Sequence, residues 1–142
     1  TEEVTLKPGV EEFLRYGREN GILLGIATSN GRTLAEAALK ALQIDTYFTA
    51  MRTSGEVNVG KPSPDIYLKV AEDMQVRPEH CLVFEDVPMG ILAGKRAGMQ
   101  VCAVYDEFSR PLDQEKKKLA DYYIHDFHDV MDRIKERNTD GK

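Results

Sequence analysis

The 142-residue sequence has no apolar run approaching the roughly 20 residues needed to span a membrane. Its start carries no signal-peptide pattern. Cysteine is scarce, with Cys81 and Cys102 the only two. A secreted disulfide scaffold packs more cysteines into a shorter chain. Both are therefore expected to be buried, reduced thiols in apolar strands, and the expected location is cytoplasmic. Positive charge is also in short supply: 19 Lys and Arg stand against 24 Asp and Glu, a net charge of -5. That balance argues against the basic footprint of a nucleic-acid binder, so neither nucleic acid nor membrane is an expected partner. The one basic run, Lys116–Lys118, follows Glu115 and reads as a solvated helix face. No G-x-G-x-x-G, Walker A or G-x-S-x-G sequence occurs, which leaves dinucleotide binding, P-loop binding and a hydrolase elbow unsupported.

What remains is a single domain's worth of chain, 42% apolar and 30% charged, with room for a sizeable core. Apolar strand-like runs alternate with amphipathic stretches, the pattern of an α/β fold built on a parallel sheet. A first helix is expected from near Pro8, with Val10, Phe13, Leu14 and Gly17 on its packing face and Gly21 as its stop. Residues 22–27 read as a strand buried on both faces, because no polar residue alternates there. A helix over 33–42, a short strand over 47–53, and a helix opened by Ser63-Pro64-Asp65 follow. Strands are expected over 81–84, 101–105 and 122–124, with helices starting at Pro88 and Phe127. Gly90, Gly94 and Gly98 recur every four residues, which suits close packing of that helix on the sheet, with Gly98 ending it.

Three short segments carry chemistry. The apolar run 22–27 stops at Thr28-Ser29-Asn30, where a strand turns into a helix. Free backbone N–H groups there attract anions, and the Thr28 hydroxyl and Asn30 amide add donors; an ordinary helix cap would look the same. Lys61 lies in a Gly-Lys-Pro-Ser-Pro-Asp loop, where it either serves as surface charge or offsets charge on a transferring phosphoryl group. Adjacent acidic residues occur at five places, so adjacency alone means nothing. Only Glu85-Asp86 ends a wholly apolar run and precedes a helix. Its carboxylates are hard oxygen ligands suited to Mg2+, and Asp86 could equally cap the helix. His125 and His128, beside Asp126 and Asp129, read as a surface helix start and not as a metal site.

Taken in order, Ile26-Ala27-Thr28-Ser29-Asn30, Gly60-Lys61-Pro62-Ser63-Pro64-Asp65-Ile66-Tyr67, and Val83-Phe84-Glu85-Asp86-Val87-Pro88-Met89-Gly90-Ile91 through Ala97-Gly98-Met99 resemble the haloacid dehalogenase superfamily. The similarity is strongest to its β-phosphoglucomutase-like phosphatases and phosphohexomutases, and it covers essentially the whole chain. The resemblance implies a Rossmann-like parallel sheet flanked by helices and Mg2+-dependent phosphoryl transfer through an aspartyl-phosphate. It implies that Thr28 and Lys61 act on the transferring group, that Ser29 and Asn30 contact phosphate or substrate, and that Glu85 and Asp86 hold Mg2+. The implied partner is a small phosphorylated metabolite, with a sugar phosphate as one candidate. A phosphohexomutase, or a non-catalytic phosphate- or metal-binding subunit, is the alternative.

The departure from the family is equally specific. The family's first motif, Asp-x-Asp at the end of its first strand, holds the nucleophile and the general acid/base; no Asp-x-Asp occurs here. In the family a helical cap follows that motif and precedes the segment resembling Glu3–Pro8. Residues 1–142 are thus expected to form the part of the core that follows the cap, without its central first strand. The missing strand would lie between those ending at Thr28 and Glu85. Lost backbone pairing costs about 1–3 kcal/mol per buried group, so these residues are expected not to fold stably alone.

Overall fold

Helix α1 (Val10–Glu19) begins two residues after Pro8, and Gly21 ends its closing turn in the left-handed region at φ 71°. The computed structural model describes residues 7–140, so the segment resembling Glu3–Pro8 lies mostly outside the described residues. Strand β1 (Gly25–Thr28) leads to α2 (Arg32–Ala41), and β2 (Ala50–Thr53) precedes the Lys61 loop and α3 (Asp65–Met74). Then follow β3 (Leu82–Glu85), α4 (Pro88–Arg96), β4 (Gln100–Val104), α5 (Asp113–Leu119), β5 (Tyr122–Ile124) and α6 (Phe127–Asp140). No helix among the described residues is long and apolar enough to cross a membrane.

All strand pairing is parallel, as the alternating pattern requires. β1 pairs with β2 from Gly25↔Ala50 to Thr28↔Thr53. β3 pairs with β4 from Leu82↔Gln100 to Glu85↔Ala103, and β4 with β5 from Cys102↔Tyr122 to Val104↔Ile124. Among the described residues no ladder joins the two sheets, so β1 and β3 each have one edge without a strand partner.

Period-two alternation sorts the second sheet's side chains between two layers. Val83, Val101 and Ala103 meet Ile66, Tyr67 and Ala71 of α3, Ile91 and Ala93 of α4, and Ala97 just past its end. Cys102, Val104 and Ile124 face the other way with Phe127, and Val10, Phe13 and Phe84 pack against them. Phe13, Phe84 and Phe127 form an aromatic triangle with centroids 4.9–5.2 Å apart. Gly94 lets α4 lie on the sheet, since a Cβ there would come 2.7 Å from Val101 Cγ2. Gly98 closes the helix at φ 81°, the role expected of it.

The structure corrects several expectations. Residues 22–27 do not form a doubly buried strand: Ile22 and Leu23 are about half exposed, and β1 begins only at Gly25. The Ile22 N–H bonds the Gly17 carbonyl at 2.8 Å, so this stretch closes the helix before it can extend. Burial follows pairing. β4, with a neighbour on each side, is buried along four of its five residues, whereas β1 has no buried residue and β3 has one. The stretch before β2 is a 3-10 turn, Asp45–Tyr47, and not strand. Both cysteines are free, but only Cys102 is fully buried, its thiol pushed up to about 11 by desolvation; Cys81 is half-buried. The basic run is not all solvated: Lys117 and Lys118 are exposed, but Lys116 is completely buried.

Candidate functional site

Three connections place the sequence-predicted residues at the carboxyl ends of β1 and β3, where open parallel sheets present ligand sites. The β1–α2 turn carries Thr28, Ser29 and Asn30. The Thr28 hydroxyl accepts the Asn30 backbone N–H at 3.1 Å, which fixes the turn, and Ser29 and Asn30 are exposed. A second anchor ties the start of α2 to the end of β2. Arg32 grips Glu56 through two nitrogens (2.7 and 2.9 Å) and donates to the Met51 carbonyl, while Glu56 accepts the Thr53 N–H. The Arg32 hydrogen bonds hold the Glu56 carboxyl down at about 2.

The Lys61 loop is a tight turn in which the Ser63 N–H bonds the Gly60 carbonyl at 3.0 Å and the Lys61–Pro62 peptide is cis. With proline at its third position, this is a turn of the cis-proline class. The Lys61 side chain points inward and is only 11% exposed. There Nζ reaches both sheets, donating to the Ala27 carbonyl at the end of β1 (3.4 Å) and to Glu85 Oε2 at the end of β3 (3.1 Å). The alternative of a surface lysine is thereby corrected. Ser63 assists one residue earlier than expected, its hydroxyl accepting the Asp65 N–H at 3.4 Å, while Pro64 sits at the cap of α3.

Glu85 and Asp86 differ in setting. The Glu85 side chain is 12% exposed and lies across the first turn of α4. Burial pushes its carboxyl above the usual range, and the Lys61 ammonium pulls it the other way. The Asp86 carboxylate is half-buried and has no hydrogen bond or ion pair among the described residues. A pair of carboxylates with one unengaged fits Mg2+, which binds through one or two carboxylates and keeps its other positions for water and phosphate oxygens. Among the described residues no group of three or more His, Cys, Asp and Glu side chains gathers. His125 and His128 instead frame the start of α6: His125 stacks on Tyr105 at 4.6 Å, and the His128 N–H bonds Asp126.

Two further residues reach the candidate site. Tyr67, on α3, lies under the Lys61 ammonium with its ring centroid 5.1 Å from Nζ. Burial, with Glu85 close by, pushes its hydroxyl well above the usual tyrosine range. Gly90, assigned to helix–sheet packing, instead leaves the space that the Glu85 carboxylate fills. Its regular spacing with Gly94 and Gly98 hid that difference; its position five residues after Glu85 was the one available signal.

Comparisons with known proteins bear on the family and the fold. The family model for haloacid dehalogenase-like hydrolases matches residues 1–98. A phosphorylated carbohydrates phosphatase of Thermotoga maritima is 41% identical over 93 residues, covering 66% of this chain and 43% of the relative. Hexitol phosphatase A of Escherichia coli is 33% identical over 133 residues, covering 92% and 58%. The crystal structure of β-phosphoglucomutase from Clostridium difficile superposes with a TM-score of 0.77 at 26% identity, over 95% of this chain and 57% of that one. The chain spans about half the length of the curated relatives it matches. With a family model covering more than half its residues and its parallel strands in the same fold, this chain belongs to the haloacid dehalogenase-like hydrolases.

Proposed function

We propose that residues 1–142 supply the phosphate grip and metal ligands of a phosphatase core acting on small phosphate esters, with sugar phosphates as the leading substrate class. The observation that carries this reading is the Lys61 ammonium held between Ala27 O and Glu85 Oε2, spanning the ends of two unjoined strands. A buried cation at that point offsets the negative charge of a phosphoryl group during transfer. The Thr28 hydroxyl, at the end of β1, is available to donate to a phosphoryl oxygen, and exposed Ser29 and Asn30 to contact the rest of the substrate. Asp86, with Glu85 behind it, would hold Mg2+, which when bound supplies Lewis-acid neutralisation of phosphoryl oxygens. Tyr67 and the Glu85 carboxylate keep the Lys61 side chain from swinging to solvent.

The nucleophile belongs to a further strand between β1 and β3. The unpaired edges of those strands support this reading, as does the twofold greater length of the curated relatives. In this reading residues 1–142 follow the cap in the full-length protein, and an aspartate on the added strand attacks the phosphoryl group. The names of the relatives, a phosphatase for phosphorylated carbohydrates and a hexitol phosphatase, support the substrate class. Similarity to β-phosphoglucomutase supports a phosphohexomutase as the second reading; the two differ in whether water is kept from the phosphoryl-enzyme.

The test is phosphate release by the full-length protein from a panel of sugar, polyol and nucleotide monophosphates, with Mg2+ and after chelation. Mg2+-dependent release is the expected result. Sugar phosphate isomerisation without phosphate release would favour the mutase, and neither activity on any ester would overturn the proposal.

A further inference from the structure

One buried charge takes no part in the site as described so far. Lys116 is the largest fully buried side chain of the described residues. A buried ammonium is costly to desolvate and is often no more stabilising than an apolar residue of similar size, so its retention calls for a use. Its Nζ donates to the Val104 carbonyl at the end of β4 (2.7 Å) and to Ser109 Oγ (3.1 Å). The Asp113 carboxylate lies 3.7 Å away; its Oδ1 has no hydrogen bond, and its Oδ2 accepts the Tyr123 hydroxyl. Ser109, itself buried, lies 2.8 Å from the Asp86 carbonyl and 3.4 Å from that of Asp106.

The direction of these bonds is set by chemistry. An ammonium has donors and no acceptor, so Ser109 Oγ must accept from Lys116 and turn its own proton outward. The nearer acceptor is the Asp86 carbonyl. That carbonyl needs a partner from outside the sheet, because the β3–β4 ladder ends one residue earlier, at Glu85↔Ala103. On its other side, Val87 is held as the extended residue before α4, its carbonyl bonded by the Ile91 N–H. Asp86 and Val87 are thus the two residues between the end of β3 and the start of α4, and the Ser109 hydroxyl pins the Asp86 peptide.

We infer that Ser109 and Lys116 are positioning residues for Asp86, a charge-assisted relay that fixes the Asp86 backbone so that its free carboxylate is preset for a divalent cation. This rests on the proposed role of Asp86 as a Mg2+ ligand. Groups that orient a ligand in this way typically govern affinity by about 10- to 100-fold.

The measurement is Mg2+ binding by calorimetry to the full-length protein, with melting temperature recorded for every variant. Ser109→Ala and Lys116→Met should each weaken Mg2+ binding by about 10-fold, and the double variant no more than the worse single one, because both cut the same relay. Met99→Ala, a cavity at the opposite end of β4, should lower the melting temperature and leave Mg2+ affinity unchanged. If Lys116→Met fails to fold, the smaller Ser109→Ala change decides the matter. Loss of Mg2+ binding in Asp86→Ala, with unaltered binding in Ser109→Ala, would overturn the relay alone. Unaltered binding in Asp86→Ala would overturn the metal role of Asp86, and the relay's purpose with it.

Discussion

Gly90→Ala puts the geometry of the site to a quantitative test. By helix propensity alone the change is favourable, since glycine in a helix is worse than alanine by about 0.5–1 kcal/mol. The structure reverses that sign. A Cβ at Gly90 would collide with the Glu85 carboxylate and lie 2.7 Å even from its Cγ. Restoring an ordinary contact of about 3.5 Å requires the carboxylate to swing away by roughly 2 Å. The 3.1 Å Lys61–Glu85 bond then falls outside hydrogen-bonding range. A hydrogen bond between charged partners contributes about 1.5–3 kcal/mol, and both side chains are nearly buried, so solvent screening relieves little of the loss. The net expectation for the full-length protein is a destabilisation of about 1–2 kcal/mol in urea unfolding. A double-mutant cycle isolates the cause. In a Glu85→Ala background the obstruction is gone, and Gly90→Ala should stabilise by about 0.5–1 kcal/mol. Stabilisation of similar size in both backgrounds would refute the claim that Gly90 exists to accommodate Glu85.

Two other outcomes follow from the fold. Asp121 accepts two bonds from Lys95 and one from the Val101 N–H, and Lys95 above all holds its carboxyl below the usual range. The native state therefore binds that proton less tightly than the unfolded chain. The stabilisation is present above the ordinary carboxylate value of about 4 and is lost as pH falls through the lower native one. Asp121→Asn should cost about 1 kcal/mol near neutral pH, and its unfolding curve should converge on the parent's as the carboxylate protonates in acid; a gap that does not narrow as pH falls would contradict this. Residues 1–142 expressed alone, with β1 and β3 each open along one edge, should show no cooperative, high-melting transition by calorimetry, and a sharp transition would argue against a strand between them.

The sequence exposed the candidate site more readily than the core. Thr28, Lys61, Glu85 and Asp86 were legible because each follows an abrupt change from apolar to polar residues or sits in a proline-framed loop, and such changes mark strand ends whatever packs behind them. The exposure of Ile22 and Leu23 was not legible, because an apolar run looks the same whether or not its strand has a neighbour on each side. Lys116 was misread for a related reason. In a run of three lysines no residue-level signal tells which one turns inward; that depends on the 3-10 turn at Glu107–Leu112, which brings Ser109 and the β4 end together. Tyr67 and Gly90 sat in correctly expected helices, but what they touch is set by the placement of Glu85 between α3 and α4.

Lys61 is the most direct test of the account, because its ammonium touches both halves of the proposed site. In the full-length protein, Lys61→Ala should lower Mg2+-dependent turnover of its best phosphate ester by at least about 100-fold, while the circular dichroism spectrum and cooperative melting are retained. Turnover within about twofold of the parent, in a variant that is demonstrably folded, would contradict the claim that the strand ends joined by Lys61 are where phosphoryl transfer takes place.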